Sequence, residues 1–161
     1  MAEPDYYEER FMREALLEAE RAALEDEVPV GAVVVFMGQI VGRGHNNVIA
    51  ALDPTGHAEI VAIREAARTL GNYRLAECDV YVTMESCAMC AGAMVHARIR
   101  RLFYGAADAK GGAVESTQRL LEIPQLNHRV IAQGGLRDRD AAALLKNFFR
   151  KRRQSSSHSG T

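Results

Sequence analysis

Residues 79–104 read DVYVTMESCAMCAGAMVHARIRRLFY, and three elements succeed one another within them. Residues 79–83 alternate and carry β-branched side chains, which predicts a strand. Residues 88–97 are rich in small, helix-prone residues, and residues 99–104 return to an extended apolar pattern closed by Gly105.

The same reading extends in both directions. Phe11, Ala15, Leu16, Ala19, Ala22 and Ala23 recur at helical spacing, predicting an amphipathic helix over residues 6–24. Residues 28–35 form a near-continuous apolar run, Gly38 marks a turn, and Ile40 and Val41 resume extended structure as a hairpin. The turn-forming stretch 52–56 leads into a helix ended by Gly71 and Asn72. Beyond Gly105 come a glycine-containing loop over 107–113, a short helix around 118–121 and a last strand over 129–131. Asp138 is placed to cap a final helix that runs to the basic cluster. Interleaved helices and strands predict an α/β fold, a sheet between helical layers, and the front hairpin makes that sheet mixed.

The bulk composition sets bounds. A chain of 161 residues suits one domain, and 48% hydrophobic residues suit a globular core. We expect a single domain over 1–153 and a flexible polar tail over 154–161. Charges interrupt every apolar run, and the acidic N-terminus (Glu3, Asp5, Glu8, Glu9) lacks the layout of a secretion signal, so a cytoplasmic location is expected. Three cysteines are too few for a disulfide scaffold; Cys78 reads as a small buried hydrophobe. The net charge of −1 does not argue for a nucleic-acid partner, although Arg150, Lys151, Arg152 and Arg153 cluster. That cluster hints weakly at phosphate contact and equally suits a helix C-terminus.

Two predicted helix starts carry the unusual residues. His57 and Glu59 open one; Cys87 and Cys90 open the other. Imidazole nitrogen and thiolate sulfur are zinc ligands, and Cys-x-x-Cys on a first helical turn sets both sulfurs toward one metal. One histidine and two cysteines make three ligands, which leaves a position for water, as in catalytic rather than structural sites. Glu59 would face the same pocket as a proton carrier. Taken alone, the cysteine pair would also suit a redox pair or half a zinc knuckle. A knuckle needs a second pair, which is missing, and a redox reading leaves His57 and Glu59 idle. His45, His96, His128 and His158 read as ordinary polar or core histidines.

His57-Ala58-Glu59 followed by Ser86-Cys87-Ala88-Met89-Cys90 resembles the zinc nucleobase deaminases, whose pattern is His-x-Glu and then Pro-Cys-x-x-Cys. More closely, the chain resembles the bacterial tRNA adenosine deaminases of the TadA type. The matching stretches are 27–32 (EVPVGA), 53–55 (DPT), 72–75 (NYRL), 90–94 (CAGAM), 105–106 (GA) with 108–110 (DAK), 127–130 (NHRV) and 148–150 (FFR). The resemblance implies a three-layer α/β/α deaminase sandwich with a mixed five-stranded sheet. It implies one zinc per subunit on His57, Cys87 and Cys90, and conversion of the wobble adenosine of a tRNA anticodon loop to inosine. Zinc-bound hydroxide would attack C6 while Glu59 shuttles protons. Asn46, Asp108, Lys110, Phe149 and Arg152 match substrate-contacting positions, and the family acts as a homodimer. Two other readings stay open: a deaminase of a free base or nucleoside, and a non-catalytic zinc-stabilised RNA-binding domain. Ser86 departs from the pattern, standing where the family has proline.

Overall fold

The computed structural model describes residues 7–158, with side chains to Ser156. Its elements run α1 (Glu9–Leu24), β1 (Gly31–Phe36), β2 (Gln39–His45), α2 (Ala58–Leu70), β3 (Asp79–Met84), α3 (Ala88–Ala97), β4 (Arg101–Ala106), a 3-10 turn (Leu120–Glu122), β5 (Ile131–Gln133) and α4 (Asp138–His158). The sheet order is β2-β1-β3-β4-β5. β1 pairs antiparallel with both β2 and β3, whereas β3–β4 and β4–β5 are parallel, so the five-stranded sheet is mixed.

The apolar runs of the central strands follow from burial on both faces. Ala32, Val34, Val80, Val82, Leu102 and Tyr104 point to one side, against Ala58, Ala62 and Ala66 of α2 and Ala91 and Met94 of α3. Val33, Val35, Tyr81 and Phe103 point to the other, against Phe11, Met12, Ala15 and Leu16 of α1 and Ala141 of α4. The result is the three-layer α/β/α sandwich. Alanine on the inner face of α2 lets the helix lie close to the sheet. At Gly44 of β2 a Cβ would fall 2.5 Å from the Ala58 carbonyl oxygen, so a side chain there would push the start of α2 away.

Several boundaries differ from expectation. The first strand begins at Gly31, three residues late, because Pro29 has no N–H for a ladder and the flanking Val28 and Val30 line a cleft instead. The last strand is shifted to Ile131–Gln133, and the short helix is a single 3-10 turn. Asp138 lies in the first turn of α4, where its carboxylate accepts the Arg139 N–H, rather than before it. Residues 154–158, expected within the tail, continue α4; the hydroxyls of Ser155 and Ser156 bond back to the carbonyls of Lys151 and Arg153. Residues 159–161 of that tail lie outside the described residues, as does Tyr6 of the first expected helix. Among the described residues no helix is long and apolar enough to cross a membrane.

Candidate active site

The cleft forms where the N-termini of α2 and α3 meet beside the ends of β2 and β3. His57 is the residue before α2 and Cys87 the residue before α3; Cys90 lies in the first turn of α3. Both helix starts are pinned by their neighbours. Asn46 Oδ1 at the end of β2 accepts the Ala58 N–H at 2.9 Å, and the Ser86 carbonyl accepts the Ala113 N–H at 2.9 Å.

His57, Cys87 and Cys90 converge as expected. Their ligand atoms all lie within 4.8 Å of one another. His57 Nδ1 is 3.5 Å from each sulfur. Zinc bonds of ordinary length in a tetrahedron would set nitrogen and sulfur about 3.6 Å apart, so the triad fits such an ion without rearrangement. Its chemistry also fits, being the mixed nitrogen and sulfur set that soft divalent metals favour.

The electrostatics of the triad are those of a thiolate shared by two donors. Hydrogen bonds from Cys90, then from His57, hold the Cys87 thiol down at about 3. Cys90 is pushed well above the usual thiol range, first by its bond to Cys87 and then by burial. His57 is raised by its hydrogen bond to Cys87, against the opposing effect of burial. Glu59, on the first turn of α2, is only 4% exposed, and that burial raises its carboxyl above the usual range. The fully buried Ser86 hydroxyl lies near enough to Glu59 to favour its charge, yet it makes no hydrogen bond of good geometry.

The cleft has a volume of about 360 Å3, and its walls include Asn46, His57, Glu59, Cys87 and Asp108. Of the residues expected to meet substrate, Asn46 and Asp108 therefore share the cleft with His57 and Cys87 of the triad. Lys110 is exposed on the adjoining loop, its N–H bonded to Asp108 Oδ1. Phe149 and Arg152 are not in the cleft; they line a separate surface groove along α4 with Arg153, Ser155 and Ser156. Arg152 donates to the Asp26 carbonyl and sits 4.8 Å over the Phe148 ring. Phe148 is buried, while Phe149 and Tyr73 are exposed.

Two further cleft residues, Glu27 and Glu85, were not singled out by sequence reasoning. Each is at most 4% exposed. Glu85 is held near 2, because hydrogen bonds from Ser116, Glu115 and Asp108 together outweigh its burial. Neither shows a distinguishing spacing. Glu27 sits among acids that read as a solvated segment, and only its place in the EVPVGA stretch could have drawn notice.

Comparison with known proteins agrees with this geometry. The pattern of the MafB19-like deaminase family matches residues 7–153. The tRNA-specific adenosine deaminase of Agrobacterium fabrum is 48% identical over 143 residues, covering 89% of this chain and 94% of the relative. That of Aquifex aeolicus is 44% identical over 147 residues, covering 91% and 97%. A solved structure from studies of A-to-I editing by tRNA:A34 deaminases superposes with a TM-score of 0.83 at 47% identity, covering 86% of this chain and 100% of that one. A shared fold, near-full coverage on both sides and an intact His/Cys/Cys triad leave one assignment: the chain belongs to the MafB19-like deaminase family, among its tRNA-specific adenosine deaminases of the TadA type.

Proposed function

We propose that this chain hydrolyses the wobble adenosine of a tRNA anticodon loop to inosine and ammonia. The observation that carries the reading is the convergence of His57, Cys87 and Cys90 at the floor of a cleft that His57 and Cys87 line, with the buried Glu59 beside them. His57, Cys87 and Cys90 would hold one zinc ion. Zinc supplies Lewis acidity, which makes a water nucleophilic at neutral pH.

The remaining steps belong to the chain's own residues. Glu59 accepts the proton released as water oxygen adds to C6 of the base. It passes that proton to N1, where it stays in inosine; it then carries the proton lost by the added hydroxyl, as that oxygen becomes the C6 carbonyl, to the exocyclic nitrogen, so that the C6–N bond breaks and ammonia leaves. Burial suits Glu59 to this traffic, because a raised carboxyl both takes and returns a proton more evenly near neutrality. Asn46 has its oxygen committed to Ala58, which leaves its amide N–H2 to donate to the target nucleotide. A base must leave its stack to reach a cleft of this kind, which suits a single-stranded loop. Asp108 and Lys110 would meet the flanking anticodon nucleotides. Phe149, Arg152 and their basic neighbours on α4 would meet the RNA beyond the cleft, in the working form of a homodimer in the cytoplasm.

An anticodon stem-loop bearing ACG, incubated with the zinc-loaded protein and sequenced for inosine, tests the reading. Conversion is expected. Binding without conversion would favour a zinc-stabilised RNA-binding domain, and turnover of free guanine or cytosine without RNA would favour a free-base deaminase. Glu59→Gln should lower turnover by about 10²–10⁴-fold while metal content and RNA affinity stay unchanged; retained activity would remove Glu59 from its role.

A further inference from the structure

The cleft is walled by two loops, one joining β2 to α2 and one following β4, and each wraps a buried carboxylate that the chemistry above does not use. Glu85, at the end of β3, accepts the Asp108 N–H on Oε1 at 3.1 Å. Its Oε2 accepts the N–H groups of Val114 at 3.2 Å, Glu115 at 2.9 Å and Ser116 at 2.9 Å, and the Ser116 hydroxyl adds a fifth donor. Glu27, just after α1, accepts the N–H groups of Ile49 and Ala50 on one oxygen, both at 2.8 Å. In both cases the loops donate and the carboxylates accept.

The second loop is also pressed against its anchor. A Cβ at Gly112 would lie 2.3 Å from the Glu85 carboxyl carbon, so the loop backbone approaches as closely as glycine alone permits. The order then passes outward. Asp108, fixed by Glu85 through its N–H, turns its own Oδ1 to the N–H groups of Lys110 and Gly111 and so shapes the loop tip. Glu27, Glu85 and Asp108 line the same cleft as His57 and Glu59.

We propose that Glu27 and Glu85 are positioning residues, each holding one wall of the cleft so that the mouth admits a single base and presents fixed groups to the nucleotides beside it. The proposal rests on the tRNA deaminase reading for the identity of the ligand. Glu85, with five donors on its two oxygens, has little capacity left to move a substrate proton, and Glu27 has one oxygen filled by two loop N–H groups; the acid–base role stays with Glu59. Burying an anion is unfavourable, and a neutral side chain would fill the same space; the return on the charge is several strong hydrogen bonds that lock otherwise unpaired loop N–H groups. Loops so fixed recognise substrate without an ordering cost on binding.

Glu85→Gln, Glu27→Gln and the milder Ser116→Ala, each zinc-loaded, test this with two readouts. Amide hydrogen exchange needs no RNA. Glu85→Gln should speed exchange about tenfold or more at Asp108, Val114, Glu115 and Ser116, sparing Ile49 and Ala50, and Glu27→Gln should do the converse. With the anticodon stem-loop, Glu85→Gln should raise KM and the RNA Kd about tenfold while kcat stays within about threefold. Ser116→Ala, which keeps the fold, should shift KM the same way by about two- to fivefold. Metal content should be unchanged in all three. Exchange rates that do not move, or a fall in kcat with KM and Kd unaltered, would overturn the proposal. An inactive wild type that still shows the loop-specific exchange pattern would count against the substrate assignment and uphold the anchoring.

Discussion

His45, the last residue of β2, has Nδ1 3.0 Å from Glu18 and Nε2 2.9 Å from Glu25, so both ring nitrogens face carboxylates. A neutral imidazole has one N–H and can serve only one of them; the imidazolium serves both. Burial opposes the charge, but the hydrogen bonds to Glu18 and Glu25 outweigh it and the pKa is raised. Arg21 and Arg43 also face Glu18, so the carboxylate is shared among three cations when His45 is charged. A raised folded-state value means that this clasp contributes fully below the unfolded value near 6.5 and is lost as pH rises through the folded one. Urea unfolding of the protein and of His45→Gln should therefore differ more at pH 6 than at pH 9; an equal difference at both would show that the second carboxylate is idle. Ser86 gives a different prediction at the same scale. Its hydroxyl is buried and, although it lies near Glu59, makes no hydrogen bond of good geometry, a condition that costs about 1–3 kcal/mol. Ser86→Ala should stabilise the fold by about 1 kcal/mol and raise Tm by about 2–4 °C, with metal content unchanged. A lower Tm would mean that the hydroxyl is satisfied in solution.

Elements in this chain are set by packing wherever the pattern is long and by turn chemistry wherever it is short. The β1–β2 hairpin closes through Met37 and Gly38, with Phe36 paired to Gln39 and φ of 49° and 75° at the two loop positions. Both values are left-handed, which suits a two-residue hairpin turn and favours asparagine before glycine. Met37 is 80% exposed, so its side chain makes little return for that strain. Met37→Asn should raise stability by about 0.5–1 kcal/mol, readable as a higher urea midpoint with an unchanged slope. The central strands β1, β3 and β4 were legible because burial on both faces demands an unbroken apolar run, and α2 and α3 because their flanking turns and small residues agree. β5 and the 3-10 turn were legible only to within about two residues, since three residues carry no period. The extension of α4 to His158 was hidden for another reason: serines read as loop formers, yet here they satisfy their own helix. The His57, Cys87 and Cys90 triad was legible because its residue types are rare and the cysteine spacing is imposed by a helical turn. Glu27 and Glu85 were not, because a buried carboxylate and a solvated one are the same letter, and only tertiary hydrogen bonds separate them.

At the scale of the whole molecule the charges nearly cancel, leaving −1, yet they are not evenly spread. Acids concentrate on α1 and the segment after it, while Arg150, Lys151, Arg152 and Arg153 stand exposed on α4. The sequence could locate this cluster but not divide it. Arg152 is committed to the Asp26 carbonyl and the Phe148 ring, so it braces α4 against the segment that leads to Glu27. Arg152 would then meet the RNA from a fixed position, and the proposed phosphate attraction is local and carried mainly by Arg150, Lys151 and Arg153. Each phosphate neutralised on a single strand contributes a slope of about −0.7 in log K against log salt, so three contacts predict a slope near −2. Replacing these three residues by serine should bring the slope close to zero and weaken RNA binding severalfold at low salt. At saturating RNA kcat should hold, because none of the three lines the cleft that contains His57 and Glu59. Fluorescence anisotropy of a labelled anticodon stem-loop across a salt series measures both quantities. A slope that stays near −2 in the triple variant would move the phosphate contacts off α4, to Lys110 on the loop beside the cleft.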